Sequence, residues 1–218
     1  TEGGHLRKHL IKNIIQHYET LKQFQNRQKE YEAYIDWFKT LPLFYETENL
    51  RAVHACWDDK NIDYLKQHLT NNRLTDDLIH QSVKRGTVLN NVIDQTLKGK
   101  EIKMPDCMSF MDKDGTNRKH IRIKWWEDPL EMTYKEISVE SIEKLPDTPV
   151  DLSLLKDKNY YQRADKAVFF GHYWLKGKPL LYKENICCLD YSVAKGGYLV
   201  AYSFDEEAKL DKEKLTYV

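Results

Sequence analysis

The sequence predicts a mixed α/β protein, and three observations carry that prediction. Apolar residues recur at helical spacing through most of the first hundred positions. Short apolar runs rich in aromatic and β-branched residues occupy the last fifty, and a polar, proline-punctuated stretch divides the two. A length of 218 residues is enough for one sizeable domain with its own core, so a single domain over 1–218 is expected.

The helical elements come first. Leu6, Leu10, Ile14, Leu21, Phe24, Tyr31, Ile35 and Phe38 lie at helical intervals among polar neighbours, which predicts two amphipathic helices broken near Gln25–Gln28. Pro42 ends the second, because proline lacks the amide donor and clashes with the preceding turn. The aromatic stripe Tyr31, Tyr34, Trp37 and Phe38 could form a ligand platform; core packing is the expectation. "LRAVHACW" (Leu50–Trp57) reads as a buried strand, followed by a helix through "DDKNIDYLKQHL" with Asp58 or Asp59 at its N-cap. "TDDLIHQSVKRG" is a helix opened by Thr75 and stopped by Gly86, and Val88–Leu97 is another.

The middle of the chain is looser. Asp114-Gly115 reads as a turn feeding a strand through Ile121, Ile123 and Trp125. Asp112 and Asp114 have the spacing that opens a calcium loop, but the remaining ligands of such a loop are missing. Trp125-Trp126 could stack on nucleic-acid bases; without a basic surplus the pair is expected in the core. Pro129, Pro146 and Pro149 punctuate what reads as a polar connection. Strands return in "KAVFFGH", "ENICCLDYS" and "GYLVAYSFD", with Gly196-Gly197 as a tight hairpin and the charged last dozen residues as a surface tail.

Composition narrows the function classes. Lys+Arg and Asp+Glu each total 34, so nothing in the charge balance points to nucleic acid. The longest apolar runs, such as Ala167–Phe170, are too short to span a bilayer, and no charged-then-apolar leader opens the chain. The opening "TEGGHLRKH" lacks an initiating Met, so the expectation is that it begins inside a longer gene product. Cys56, Cys107, Cys187 and Cys188 show neither zinc-knuckle nor disulfide-framework spacing and are expected as buried thiols in a cytoplasmic protein.

Two histidines follow apolar strands: His54 in "VHACW" and His172 in "FFGHYW". A rigid strand aims its terminal side chain into a crevice, and neutral imidazole is the commonest transition-metal ligand. Four short segments occur in order: Val53-His54-Ala55, Phe170-Gly171-His172, Asn185-Ile186-Cys187-Cys188-Leu189-Asp190-Tyr191-Ser192, and Lys195 through Tyr202. In that order the chain resembles the calcineurin-like metallophosphoesterases, in the bacterial branch labelled serine/threonine phosphatase or diadenosine-tetraphosphatase-like. The resemblance covers most of the chain, since "GGHLRKHLIKNIIQH" and "WFKTLPLFYE" look like the family's helical insert, here about 5–42.

That resemblance implies part of a four-layer αββα sandwich with a helical insert at the N-terminus. It implies His54 and His172 as metal ligands and Asp190 as a carboxylate behind them, since ligating imidazoles usually donate their other N–H to a carboxylate or carbonyl. The family's chemistry uses two divalent metals, Mn, Fe or Zn, that clamp a phosphate and activate water for in-line attack. The Gly-Asp-x-His-Gly, Gly-Asp-x-x-Asp-Arg-Gly and Gly-Asn-His-Glu motifs that supply most ligands do not occur in this sequence. Two histidines alone cannot hold a binuclear centre, so the centre is expected to be incomplete and the chain alone inactive. Trp174 is a second departure, standing where some relatives carry a further metal-ligating histidine. The implied function is hydrolysis of a phosphoester, in a phosphoprotein or a dinucleoside polyphosphate, with no nucleic-acid or membrane partner. The alternative is a non-catalytic interaction domain derived from the same fold.

Overall fold

The computed structural model describes residues 6–7, 10–105, 108–111, 115, 117–155 and 160–218, with the backbone alone at residue 12. Cys107 and the Asp112/Asp114 pair lie outside the described residues. The chain is mixed α/β, with six α-helices and several small sheets among the described residues. Its contacts divide into two compact units: 1–43 with 63–93, and 44–62 with 94–218.

The first unit is helical. Helix α1 spans Ile11–Gln23 and α2 spans Gln28–Lys39, with the break where the sequence places it. Phe24 in the connection meets the rings of Tyr31 and Tyr34 at centroid distances of 5.5 and 5.8 Å. The aromatic stripe does not enter a core: Tyr34, Trp37 and Phe38 are exposed and only Tyr31 is half-buried. Helical periodicity gives a residue a face, but burial requires something to cover that face.

Strand β1 (Phe44–Glu46) opens the second unit and pairs antiparallel with β2 (Leu50–Val53). The strand read in "LRAVHACW" therefore ends before His54. Helix α3 (Asp59–His68) follows, capped by Asp58, whose Oδ1 accepts from the Asn61 amide at 3.0 Å. Helix α4 (Asp76–Ser82) is capped by Thr75, which accepts from the Leu78 amide. It stops four residues short of Gly86. Helix α5 (Val88–Lys98) leads into β3 (Glu101–Lys103).

Strands β4 (Phe110–Met111), β5 (Asn117–Arg118) and β6 (His120–Arg122) follow; β4 pairs with β5, and β6 pairs antiparallel with β3. Ile121, Ile123 and Trp125 are buried in the expected alternation, and Trp126 is buried beside them. The stretch read as a polar connection contributes a core of its own. A short helix α6 (Tyr134–Ile137), opened by a Thr133/Glu136 capping box, buries Tyr134 and Ile137 with Leu145 and Val150 against Ile102, Met104, Ile121 and Ile123.

Strands β7 (Ala167–Phe170) and β8 (Ile186–Cys188) complete a four-stranded sheet of order β1-β2-β7-β8, in which β2, β7 and β8 are mutually parallel. Strands buried on both faces read as continuous apolar runs, and Ile186, Cys187 and Cys188 are all fully buried. Strand β9 (Asp190–Tyr191) pairs antiparallel with β10 (Tyr198–Tyr202), which pairs with β11 (Leu215–Tyr217). The last residues are thus a strand with Leu210 and Leu215 buried, not a tail. The β9–β10 connection is a six-residue loop through a 3₁₀ turn at Val193–Lys195, longer than a two-residue hairpin. Gly197 is obligatory there, since a Cβ would collide with the Tyr191 carbonyl oxygen. A shared core of Ala167, Cys187, Tyr191, Val200, Leu210 and Leu215 lies between the two sheets.

Candidate functional site

Parallel pairing brings the sequence-predicted residues together. The register Ala52↔Phe169, continued by two residues, sets His54 opposite Gly171, and the Gly171 amide donates to the His54 carbonyl at 3.0 Å. The register Phe170↔Cys188, continued by two, sets His172 level with Asp190. Three neighbouring parallel strands thus release His54, His172 and Asp190 at their carboxyl ends, where open α/β sheets form their binding crevices.

The imidazoles touch. His54 Nε2 lies 3.2 Å from His172 Nδ1, with ring centroids 5.1 Å apart. His172 is half-buried, and its Nε2 has no hydrogen-bond partner among the described residues. Desolvation lowers the pKa of both rings; His172 falls to about 4, helped by Arg122, His54 and Lys98 and opposed by Asp190. Both rings are therefore neutral near pH 7, the form that ligates metal.

Beneath them the backbone is tied down. The Ala55 and Cys56 amides both donate to the Thr96 carbonyl, and the Trp125 indole donates to the Ala55 carbonyl at 2.9 Å. Lys100 pairs with Asp58 at 2.5 Å in a largely buried contact. The Tyr173 ring packs edge-on against Phe170 and His172, and its hydroxyl fits over Gly99, where a Cβ would strike it.

Asp190 anchors the loops on either side of the histidines. Its Oδ2 accepts from the Trp174 amide at 3.2 Å and its Oδ1 from the Ser192 amide at 3.1 Å. It shapes the loop after His172 and reaches the imidazoles through its charge. His172, Trp174 and Ser192 all have left-handed φ, 74°, 51° and 61°. Such backbone is uncommon outside glycine and clusters at functional sites. No residue type in "GHYWLK" or "DYSVAK" announces that geometry, so the sequence alone could not show it.

Among the described residues no group of three or more His, Cys, Asp or Glu side chains is placed to hold a metal ion. The three free cysteines described, Cys56, Cys187 and Cys188, are buried, and desolvation raises each thiol to about 12, so they are not reactive thiolates. A separate open groove of about 970 Å³ runs past Leu180, Leu210 and Leu215, away from the histidines, and its Lys183 and Lys209 are paired with Glu127 and Glu184. No helix among the described residues is long and apolar enough to cross a membrane. No family model, curated protein or solved structure matches this chain.

Proposed function

We propose that this chain carries one part of a metal-dependent phosphoesterase, with His54 and His172 as two ligands of one divalent ion. The carrying observation is the 3.2 Å separation of His54 Nε2 and His172 Nδ1. Two imidazole nitrogens bound about 2.0–2.1 Å from one ion, in tetrahedral or octahedral arrangement, lie roughly 2.8–3.4 Å apart. Their neutral state fits the same role. Bound there, Mn, Fe or Zn would polarise a phosphoryl oxygen and lower the pKa of water.

The residues of the chain would hold and orient. Asp190 and Ser192 fix the loop that presents His172, and Thr96 and Trp125 fix the loop that presents His54. Further ligands must come from outside this pair, so a second metal and full activity require residues beyond those described. The shared core between the β1-β2-β7-β8 and β9–β11 sheets supports a place in a four-layer αββα sandwich. The three unpaired buried thiols suit a cytoplasmic setting. The substrate in this reading is a phosphoester, of a phosphoprotein or a dinucleoside polyphosphate.

Titration with cobalt(II), followed by its visible absorption, tests the reading. Binding of about one ion per chain, lost in both His54→Ala and His172→Ala with little change in melting temperature, is expected. Retained binding in both variants, or none in the parent chain, overturns it. A non-catalytic interaction domain is the second reading, and the exposed apolar faces of α1 and α2 favour it. An intact pair that never binds metal would leave that reading standing.

A further inference from the structure

Trp174 is costly to place and stays at the surface. Its indole is 48% exposed, yet its φ of 51° holds a bulky residue in the left-handed region. The segment is clamped from three directions. The Trp174 amide donates to Asp190 Oδ2, the Leu175 amide to the Asp190 carbonyl at 3.0 Å, and the Ser192 hydroxyl to the Leu175 carbonyl at 3.2 Å. Two further left-handed residues, His172 and Ser192, belong to the same clamp. The result is a rigid aromatic surface two residues beyond His172. A cation accompanies it: Lys195 Nζ sits 4.2 Å from the centre of the indole ring, on an exposed loop.

We propose that Trp174 and Lys195 form a recognition site for phosphoesters that carry a planar aromatic ring, the ring stacking on the indole and the phosphate pairing with the Lys195 ammonium. This deepens the phosphoesterase reading and rests on it for the presence of a phosphoester at the histidines. An indole stacks on any π face, which makes the site tolerant of ring identity, and a lysine ammonium, with three rotatable donors, supplies an anion partner without fixing its geometry. Strain held by several hydrogen bonds is how a fold keeps a binding side chain in place before the ligand arrives. Nucleotides and aryl phosphates share the required chemistry.

The test uses the full chain, isotopically labelled and free of metal, with the Trp174 indole N–H resonance assigned from its loss in Trp174→Leu. Adenosine monophosphate, phenyl phosphate and inorganic phosphate are titrated separately. The ring-bearing ligands are expected to shift the Trp174 resonance and to bind about tenfold or more tightly than inorganic phosphate, the scale of one stacking contact. Trp174→Leu should remove that advantage and leave inorganic phosphate unaffected; Trp174→Phe should keep part of it; Lys195→Ala should weaken all three. Preference between adenosine and phenyl then identifies the ring source. Equal affinity for ringed and ringless phosphates, or an unchanged preference in Trp174→Leu with the remaining resonances intact, overturns the proposal. Ring binding that persists while the cobalt titration fails would sink the metal reading alone.

Discussion

Helix α1 and strand β8 both carry isoleucine, and its fate differs between them. In β8, Ile186, Cys187 and Cys188 are each 0% exposed, whereas in α1 Ile11 is 78% and Ile15 66% exposed. A strand laid parallel beside β7 has its backbone satisfied on that side and its faces covered by the β9–β11 sheet and the layer around Phe170. A helix satisfies its own backbone and can form with its apolar stripe uncovered. The same residue type therefore reports packing in one unit and an uncovered surface in the other. Apolar periodicity identifies an element; it does not identify the element's partner.

The sharpest test of that contrast sets a buried side chain against an exposed one of larger size. Ile121, fully buried against Ile102, Tyr134 and Ile137, should cost about 2–5 kcal/mol when replaced by Ala, from lost transfer energy and a residual cavity. Trp37→Ala removes more atoms but starts 54% exposed, and should stay within about 0.5 kcal/mol. Denaturant midpoints of the two variants measure both. Comparable losses would mean that the α1–α2 face is covered in solution, and the contrast would break.

Next in size is Gly197→Ala. The added Cβ meets the Tyr191 carbonyl, a backbone atom that cannot swing aside, so the β9–β10 loop must shift. Overpacking of this kind costs about 1–3 kcal/mol. The shift should also reach the Asp190 clamp, through the pairing of Tyr191 with Tyr198. The check is the Trp174 amide resonance: displaced in Gly197→Ala, unmoved in a surface variant of α2.

The smallest effect expected is a pH dependence of the metal-free chain. His172 has a folded pKa of about 4, below the ordinary histidine value, because burial and the charges of Arg122 and Lys98 disfavour the imidazolium. Between those two values the unfolded chain binds the proton and the folded chain does not, so stability falls as pH drops from about 6.5 toward 4. His54 is lowered too and acts in the same direction. His172→Asn should flatten the decline in melting temperature over that interval. An unchanged slope in His172→Asn would show that the imidazole is open to water.

How much was legible follows from where the information lies. His54 and His172 could be found because an apolar strand ending in histidine is a local pattern. Their closeness was expected only through the resemblance, which makes both of them metal ligands; no local pattern carries it, because it depends on β2 and β7 being adjacent and parallel across more than a hundred residues. Asp190 was visible as a carboxylate after a strand, but its engagement with the Trp174 and Ser192 amides depends on left-handed backbone that glycine would have flagged and His, Trp and Ser do not. Leu215-Thr216-Tyr217 was hidden as a strand by the lysines and acids before it, and Tyr134 and Ile137 by the prolines on either side. Trp125 and Trp126, expected in the core because the chain has no basic surplus, are buried.

The hydrogen bond from the Gly171 amide to the His54 carbonyl has a kinetic consequence. It is a single backbone link between the two loops that carry the histidines, so that amide can exchange with solvent only when the loops separate. Its hydrogen-exchange rate is therefore a clock for opening of the crevice itself. Amides in the middle of β7 and β8 will exchange only with unfolding of the sheet, and the ratio of the two rates gives the free energy of opening the crevice while the sheet beneath it stays folded.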